Sequence, residues 1–124
     1  MNSTKKILFV DDEDDIREVV QIRLESNGYQ VVTAASGEEA LAKVASDHPD
    51  LMILDVMMPG MDGLAVLKKL RKEESTSKLP VILLTAKRKK MIGDLFEMEG
   101  IQGFIEKPFE STVLLDLIKK ALHQ

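Results

Sequence analysis

Short, largely apolar runs alternate with stretches of helical period along the entire chain. Segments 7–10, 29–33, 51–54, 81–84 and 103–105 are compact, rich in Val, Ile and Leu, and bounded by polar residues or Gly, which predicts five buried strands. Between them the apolar residues recur at three- and four-residue intervals. Ile16, Val19, Val20 and Leu24 form one predicted helix face that stops at Asn27-Gly28. Ala40, Leu41, Val44 and Ala45 form a second, opened by a Ser36/Glu39 pair that matches a capping box. Leu64, Leu67 and Leu70 form a third behind Asp62, a plausible N-cap, and Val113, Leu114, Leu117, Ile118 and Ala121 form the last. A fourth helix is expected at 91–98, weakened by Gly93, which costs about 1 kcal/mol relative to Ala. Five strands alternating with five helices predict an α/β fold: a doubly wound parallel sheet covered on both faces, because parallel neighbours need helical crossovers. The pattern leaves no linker and no repeat, so residues 1–124 read as one domain.

Composition narrows the functional classes. At 124 residues and 44% hydrophobic content the chain can bury a real core. A formal charge of −4 argues against holding nucleic acid or an anionic membrane by bulk electrostatics. The absence of Cys excludes disulfides, thiolate catalysis and Cys-ligated zinc. The apolar stretch after Lys5-Lys6 breaks at Asp11, too early for a secretory signal, and no run approaches membrane-spanning length. A soluble cytoplasmic protein is expected.

Chemistry is expected where the predicted strands end, since ligands of open α/β sheets bind beyond the carboxyl ends of the strands. Asp11 and Asp12 end the first, Asp55 the third and Thr85 the fourth, and Lys107 follows the fifth. Three carboxylates about 4–5 Å apart would repel by roughly 3–4 kcal/mol per pair at an effective dielectric near 20, so the site requires a cation. An all-oxygen set suits Mg²⁺, which binds through one or two carboxylates and keeps several waters for a phosphoryl oxygen to replace. Asp55 is the natural nucleophile, with the Lys107 ammonium and the Thr85 hydroxyl ready to take charge from an incoming phosphoryl group.

Taken singly, each of these residues has a plainer reading. Asp11 and Asp12 could merely end a strand, Thr85 could be only a β-former and Lys107 a solvated charge; their joint occurrence favours the site. Glu13, Asp14 and Asp15 read as favourable negative charge at a helix N-terminus. Met52, Met57, Met58 and Met61 read as adaptable packing rather than a soft-metal site. His48 and His123 are isolated and read as solvent-facing.

The set Asp11-Asp12, Leu54-Asp55-Val56-Met57-Met58-Pro59-Gly60-Met61-Asp62-Gly63, Leu84-Thr85-Ala86 and Lys107-Pro108-Phe109 resembles the receiver domain of two-component response regulators over the whole chain. That resemblance implies a flavodoxin-like, CheY-like sheet of order 2-1-3-4-5. It also implies that Asp55 accepts a phosphoryl group from a phosphohistidine on a sensor histidine kinase or phosphotransfer protein. Asp12, Asp55 and the Met57 carbonyl would ligate Mg²⁺, with Asp11 acting mainly through water. Lys107 would pair with the phosphoryl group, Thr85 would move to bond it, and Phe104, at the family's switch-aromatic position, would turn inward. A downstream protein would be controlled through the face made by the fourth predicted helix, the fifth strand and the last helix, and a phosphorylation-dependent homodimer is compatible with the family. Such a chain is a signalling phosphoacceptor that catalyses its own phosphorylation and slow dephosphorylation, not an enzyme in the ordinary sense.

Two departures from the common pattern leave this chemistry intact: Gly103-Phe104 stands where an acidic-aromatic pair is frequent, and Lys87-Arg88-Lys89-Lys90 is unusually basic. Those cations, at a predicted helix N-terminus, oppose the macrodipole. They suggest either a frayed solvated loop or an element ordered by phosphorylation that meets an acidic partner. A dehalogenase-type phosphatase would place its nucleophile after the first strand in Asp-x-Asp-x-Thr/Val, which Asp12-Glu13-Asp14-Asp15-Ile16 does not match. A flavodoxin-like nucleotide module would need a phosphate loop where Asp11 to Asp15 would repel phosphate. The last predicted helix runs to Gln124, so no output domain fits within these residues; the chain either signals by protein contact alone or is a piece of a longer protein.

Overall fold

The computed structural model describes residues 4–85 and 101–124. In chain order these form β1 (Lys6–Val10), α1 (Asp14–Glu25), β2 (Gln30–Ala34), α2 (Gly37–Asp47), β3 (Leu51–Asp55), α3 (Gly63–Lys72), a 3₁₀ turn (Glu74–Thr76), β4 (Val81–Thr85), β5 (Gly103–Glu106) and α4 (Ser111–Ala121). All strand pairs are parallel and the order is β2-β1-β3-β4-β5, as expected for the doubly wound class. Four helices are seen among the described residues. The helix expected at 91–98 and the basic run Lys87-Arg88-Lys89-Lys90 lie outside them.

The inner strands β1, β3 and β4 carry unbroken, fully buried apolar runs because each face of the sheet has its own helical cover, whereas the edge strand β2 keeps Gln30 exposed. Leu8, Val10, Met52, Leu54, Val81 and Leu83 point to one side, where Ala40, Val44, Val66, Leu67 and Leu70 of α2 and α3 close over them. Ile7, Phe9, Leu51, Ile53, Ile82 and Leu84 point to the other, against Val20 and Leu24 of α1 and Leu114, Ile118 and Ala121 of α4. Strand alternation thus sorts a single apolar run into two cores.

Local signals set the helix starts. The Ser36 hydroxyl accepts from Glu39 N–H at 3.1 Å, and the Glu39 carboxylate reaches back to accept from Ala35 N–H at 2.6 Å. The Asp62 carboxylate accepts from Ala65 N–H at 2.9 Å, the cap its position predicts. Asp14 and Asp15 occupy the first turn of α1 behind Glu13. His48 and His123 are exposed, as expected.

The predicted faces need four corrections. Val19, Ala45 and Val113 are exposed, while Val66, absent from the predicted α3 face, is fully buried. Each helix contacts the sheet through a stripe narrower than its apolar set, so residues at the margin of the stripe stay in water. Met52 and Met58 pack in the core as expected, but Met57 is 69% exposed.

Candidate functional site

Parallel pairing in register aligns the strand ends, and the polar residues that follow the apolar runs therefore collect at one edge. Asp55 closes β3 opposite Leu84, and Thr85 closes β4 opposite Glu106. The Lys107 N–H donates to the Thr85 carbonyl at 2.7 Å, which carries the end of β5 alongside β4. The Asp11 N–H donates to the Ala34 carbonyl at 3.1 Å, which fixes the exit of β1 against β2.

These ties bring four of the predicted residues together. Oxygens of Asp11, Asp12 and Asp55 lie within 4.8 Å of one another. The Lys107 ammonium sits 2.7 Å from Asp11 Oδ2 and 3.0 Å from Asp55 Oδ2. Asp11 and Asp55 are buried and Asp12 is exposed, so the cluster has a closed floor and an open mouth. Asp55 Oδ1 accepts from the Met57 N–H at 3.1 Å, which holds the carboxylate while its other oxygen faces Lys107. Thr85 is buried at the end of the neighbouring strand. By alternation Thr85 shares the side of Val81 and Leu83, whereas Asp55 shares that of Leu51 and Ile53. Phe104 is half-buried and packs against the α2–α3 core. The Met57 side chain projects into solvent beside the mouth.

Burial raises the Asp55 carboxyl above the usual aspartate range, and the contact with Lys107 offsets only part of that rise. For Lys107, burial acts to lower the ammonium, but the close contacts with Asp11 and Asp55 prevail and raise it. Lys107 is therefore a fixed positive charge at any physiological pH.

The donor set suits a divalent cation. Three carboxylates and one ammonium leave a net charge of minus two at the cluster when all are ionised. Asp11 Oδ2 is fully buried and has no aligned hydrogen bond among the described residues, despite its ion pair with Lys107. A buried carboxylate oxygen with spare lone pairs beside an exposed carboxylate is a hard-oxygen site of the kind Mg²⁺ takes.

Two further residues shape the site. Glu13 brings its carboxylate to 3.7 Å from the Lys107 ammonium from the exposed rim. Gly63 lies so close to the end of β3 that a Cβ there would stand 2.2 Å from the Asp55 carbonyl oxygen and 2.9 Å from Val56 Cα. Glu13 belongs to the acidic run Asp11-Asp12-Glu13 that follows the first strand, where the sequence predicts only a helix-terminal charge; its contact with Lys107 is added by the fold. The constraint on Gly63 arises only from the packing of α3 on β3.

The sequence matches the family profile of the response regulator receiver domain over residues 7–119. The alkaline phosphatase synthesis transcriptional regulatory protein PhoP of Bacillus subtilis is 41% identical over 97% of this chain and 49% of its own length. The ycf27 protein of Cyanophora paradoxa is 45% identical over 97% of this chain and likewise 49% of its own. The chain thus spans about half the length of these curated relatives. Among solved structures, the chemotaxis protein CheY4 of Vibrio cholerae superposes with a TM-score of 0.91 at 35% identity, covering 97% of this chain and 100% of that one. The profile match, the shared fold and identities above 30% across nearly the whole chain place it in one family: this chain belongs to the response regulator receiver domains of two-component signalling.

Proposed function

We propose that Asp55 accepts a phosphoryl group from a phosphohistidine on a sensor histidine kinase or phosphotransfer protein, with Mg²⁺ as cofactor, and that the acyl phosphate switches a surface which controls a partner protein. The observation that carries this reading is the Lys107 ammonium held between Asp11 and Asp55 in a buried acidic cluster with one open side. Asp55 attacks phosphorus, the new P–O bond forms as the P–N bond to the donor breaks, and the imidazole leaves with the bonding electron pair. Lys107 faces the oxygen at which charge accumulates, and Thr85 supplies a hydroxyl at the neighbouring strand end. Asp11, Asp12, Asp55 and the Met57 carbonyl would hold Mg²⁺, which when bound neutralises phosphoryl charge. The Thr85 and Phe104 pair is the proposed relay to the face around β5, with Phe104 on the strand beside Thr85. The chain is thus a phosphoacceptor promoting its own modification, and its similarity to PhoP favours a transcriptional output. Incubation with acetyl phosphate and Mg²⁺ should add one acid-stable, hydroxylamine-labile phosphate without turnover of general phosphomonoesters. Absence of that phosphate would overturn the reading.

Lys107→Ala tests the electrostatics. It leaves Asp11 and Asp55 buried without their cation, at a cost on the order of 2 kcal/mol, below the 3–5 of a fully enclosed pair because water can enter the vacated space. A group whose folded pKa is raised, as that of Lys107 is, stabilises the fold at all pH values below its unfolded pKa and loses that effect as pH rises through the folded one. The deficit of the variant should therefore be present at pH 7 and vanish in strong alkali. Mg²⁺ binding should be retained or tightened, since a competing positive charge has gone, while phosphorylation or signalling should fall. Thermal melts with and without Mg²⁺, read beside phosphate incorporation, separate these effects.

Met57 bears on the lifetime of the phosphorylated state. Hydrolysis requires a water held in line behind phosphorus, and an exposed thioether beside the mouth neither accepts its proton nor orients it. Lys87, two residues past Thr85 and outside the described residues, is a cation of sufficient reach to meet the phosphoryl oxygens and crowd that approach. A long-lived acyl phosphate is expected, and Met57→Asn combined with Lys87→Glu should shorten its half-life in a discharge assay. An unchanged or longer half-life would count against this role.

A further inference from the structure

Asp11 is hydrogen-bonded at its N–H, its carbonyl and Oδ1 and ion-paired at Oδ2, and its carbonyl is held by the side chain of a residue outside the phosphorylation chemistry. Its N–H is held by Ala34, its Oδ1 accepts from the Glu13 N–H at 2.9 Å, and its Oδ2 meets Lys107. Its carbonyl oxygen accepts from Arg17 Nη1 at 2.6 Å. Arg17 lies one turn into α1; its side chain is only 18% exposed, and its other terminal nitrogen is paired with the Asp14 carboxylate at the same helix end. The guanidinium therefore clamps the peptide between Asp11 and Asp12 to the first turn of α1 through two separate nitrogens.

We infer that Arg17 is a positioning residue for the acidic site: by fixing the Asp11 carbonyl it sets the direction in which Asp12, the exposed member of the cluster, presents its carboxylate to Asp11 and Asp55. Asp12 is the exposed member of the cluster, and the peptide that Arg17 holds is the one that leads into it. The inference rests on the acidic cluster being a Mg²⁺ site and deepens that reading.

The two roles open to an arginine near this site have opposite signs. As a mere charge, Arg17 competes with a bound cation, and its removal would tighten divalent binding. As a positioning residue it organises the ligands, and its removal weakens binding, typically by tenfold or more when a partner orienting a metal ligand is lost. Arg17→Ala is therefore expected to weaken Mg²⁺ binding by about tenfold. Arg17→Lys, which keeps the charge and can engage Asp11 or Asp14 but not both, should fall between. Arg23→Ala, on the exposed last turn of α1, removes the same charge without touching Asp11 and should leave affinity near the wild-type value.

The measurement is a Mg²⁺ titration of the folded 124-residue chain followed by amide chemical shifts, with Mn²⁺ water-proton relaxation as a second readout and circular dichroism to verify the fold of each variant. Weakened binding in Arg17→Ala with partial recovery in Arg17→Lys supports the inference. Equal or tighter binding in Arg17→Ala, or in Arg17→Lys should the alanine variant not fold, overturns it. If the wild-type protein binds neither metal, the cation-site reading fails first, and that failure is visible before any variant is compared.

Discussion

Asp55→Asn is expected to fold, to take up no detectable phosphate from acetyl phosphate, and to melt at a higher temperature than the wild type at neutral pH in metal-free buffer. The amide fills the same space but is a poor nucleophile, so incorporation should drop by at least about a hundredfold. The gain in stability follows from the direction in which the carboxyl is shifted. Burial raises the folded pKa of Asp55 above its unfolded value, so in the pH window between the two the folded state binds the extra proton. Above that window the ionised carboxylate costs stability, and the neutral amide does not. Lys107 loses one partner but keeps Asp11 at 2.7 Å, so the substitution leaves no buried charge alone. The advantage of the variant should be greatest above the folded pKa of Asp55 and shrink as pH falls through it. A variant that melts lower at pH 7 would show that the Lys107 contact outweighs burial, and one that still incorporates phosphate at the wild-type rate would show that Asp55 is not the nucleophile.

Gly63→Ala is expected to destabilise the domain by about 3 kcal/mol or more, the upper range for overpacking. The added Cβ meets backbone rather than a movable side chain, 2.2 Å from the Asp55 carbonyl oxygen. Gly63 also donates its N–H to the Val56 carbonyl at 3.0 Å, so α3 cannot retreat without breaking the link that closes the loop after Asp55. At this chain length the loss corresponds to a fall of roughly 10 °C in Tm. Because the displaced atoms belong to Asp55 and its successor, phosphorylation should fall in the fraction that remains folded. Gly60→Ala is the contrast: φ is +76° there but the space around it is open, so the cost should be only about 1 kcal/mol of backbone strain, with the site undisturbed. Urea unfolding of the two variants gives the comparison, and equal losses would mean that the close approach of α3 to β3 is absorbed by relaxation.

The alternation of apolar runs and helical stretches was enough to give the five strands, their parallel pairing and the two-faced cover, because a strand buried on both sides must be apolar at every position. The residues at the ends of those strands were legible for the same reason: a carboxylate or hydroxyl directly after an uninterrupted apolar run, or an ammonium just beyond one, marks the sheet edge where chemistry collects. The caps at Ser36 and Asp62 were equally local, since a side chain three residues before an N–H needs no distant partner to bond it. Other features depend on distances that no local pattern contains. Whether Val19, Ala45 or Val113 is covered depends on how each helix is rolled against the sheet, and the exposure of Met57 depends on the path of the loop after Asp55. The sequence singled out Lys107 by its place after the fifth strand, but not the distances from its ammonium to the carboxylates. Only the packing of β5 beside β4, and of β3 beside β1, sets its ammonium between Asp11 and Asp55, residues 96 and 52 positions away in the chain. The shifts of Asp55 and Lys107 share that origin, because desolvation and Coulomb attraction depend on what surrounds a charge in space, and the sheet brings together groups the chain keeps apart.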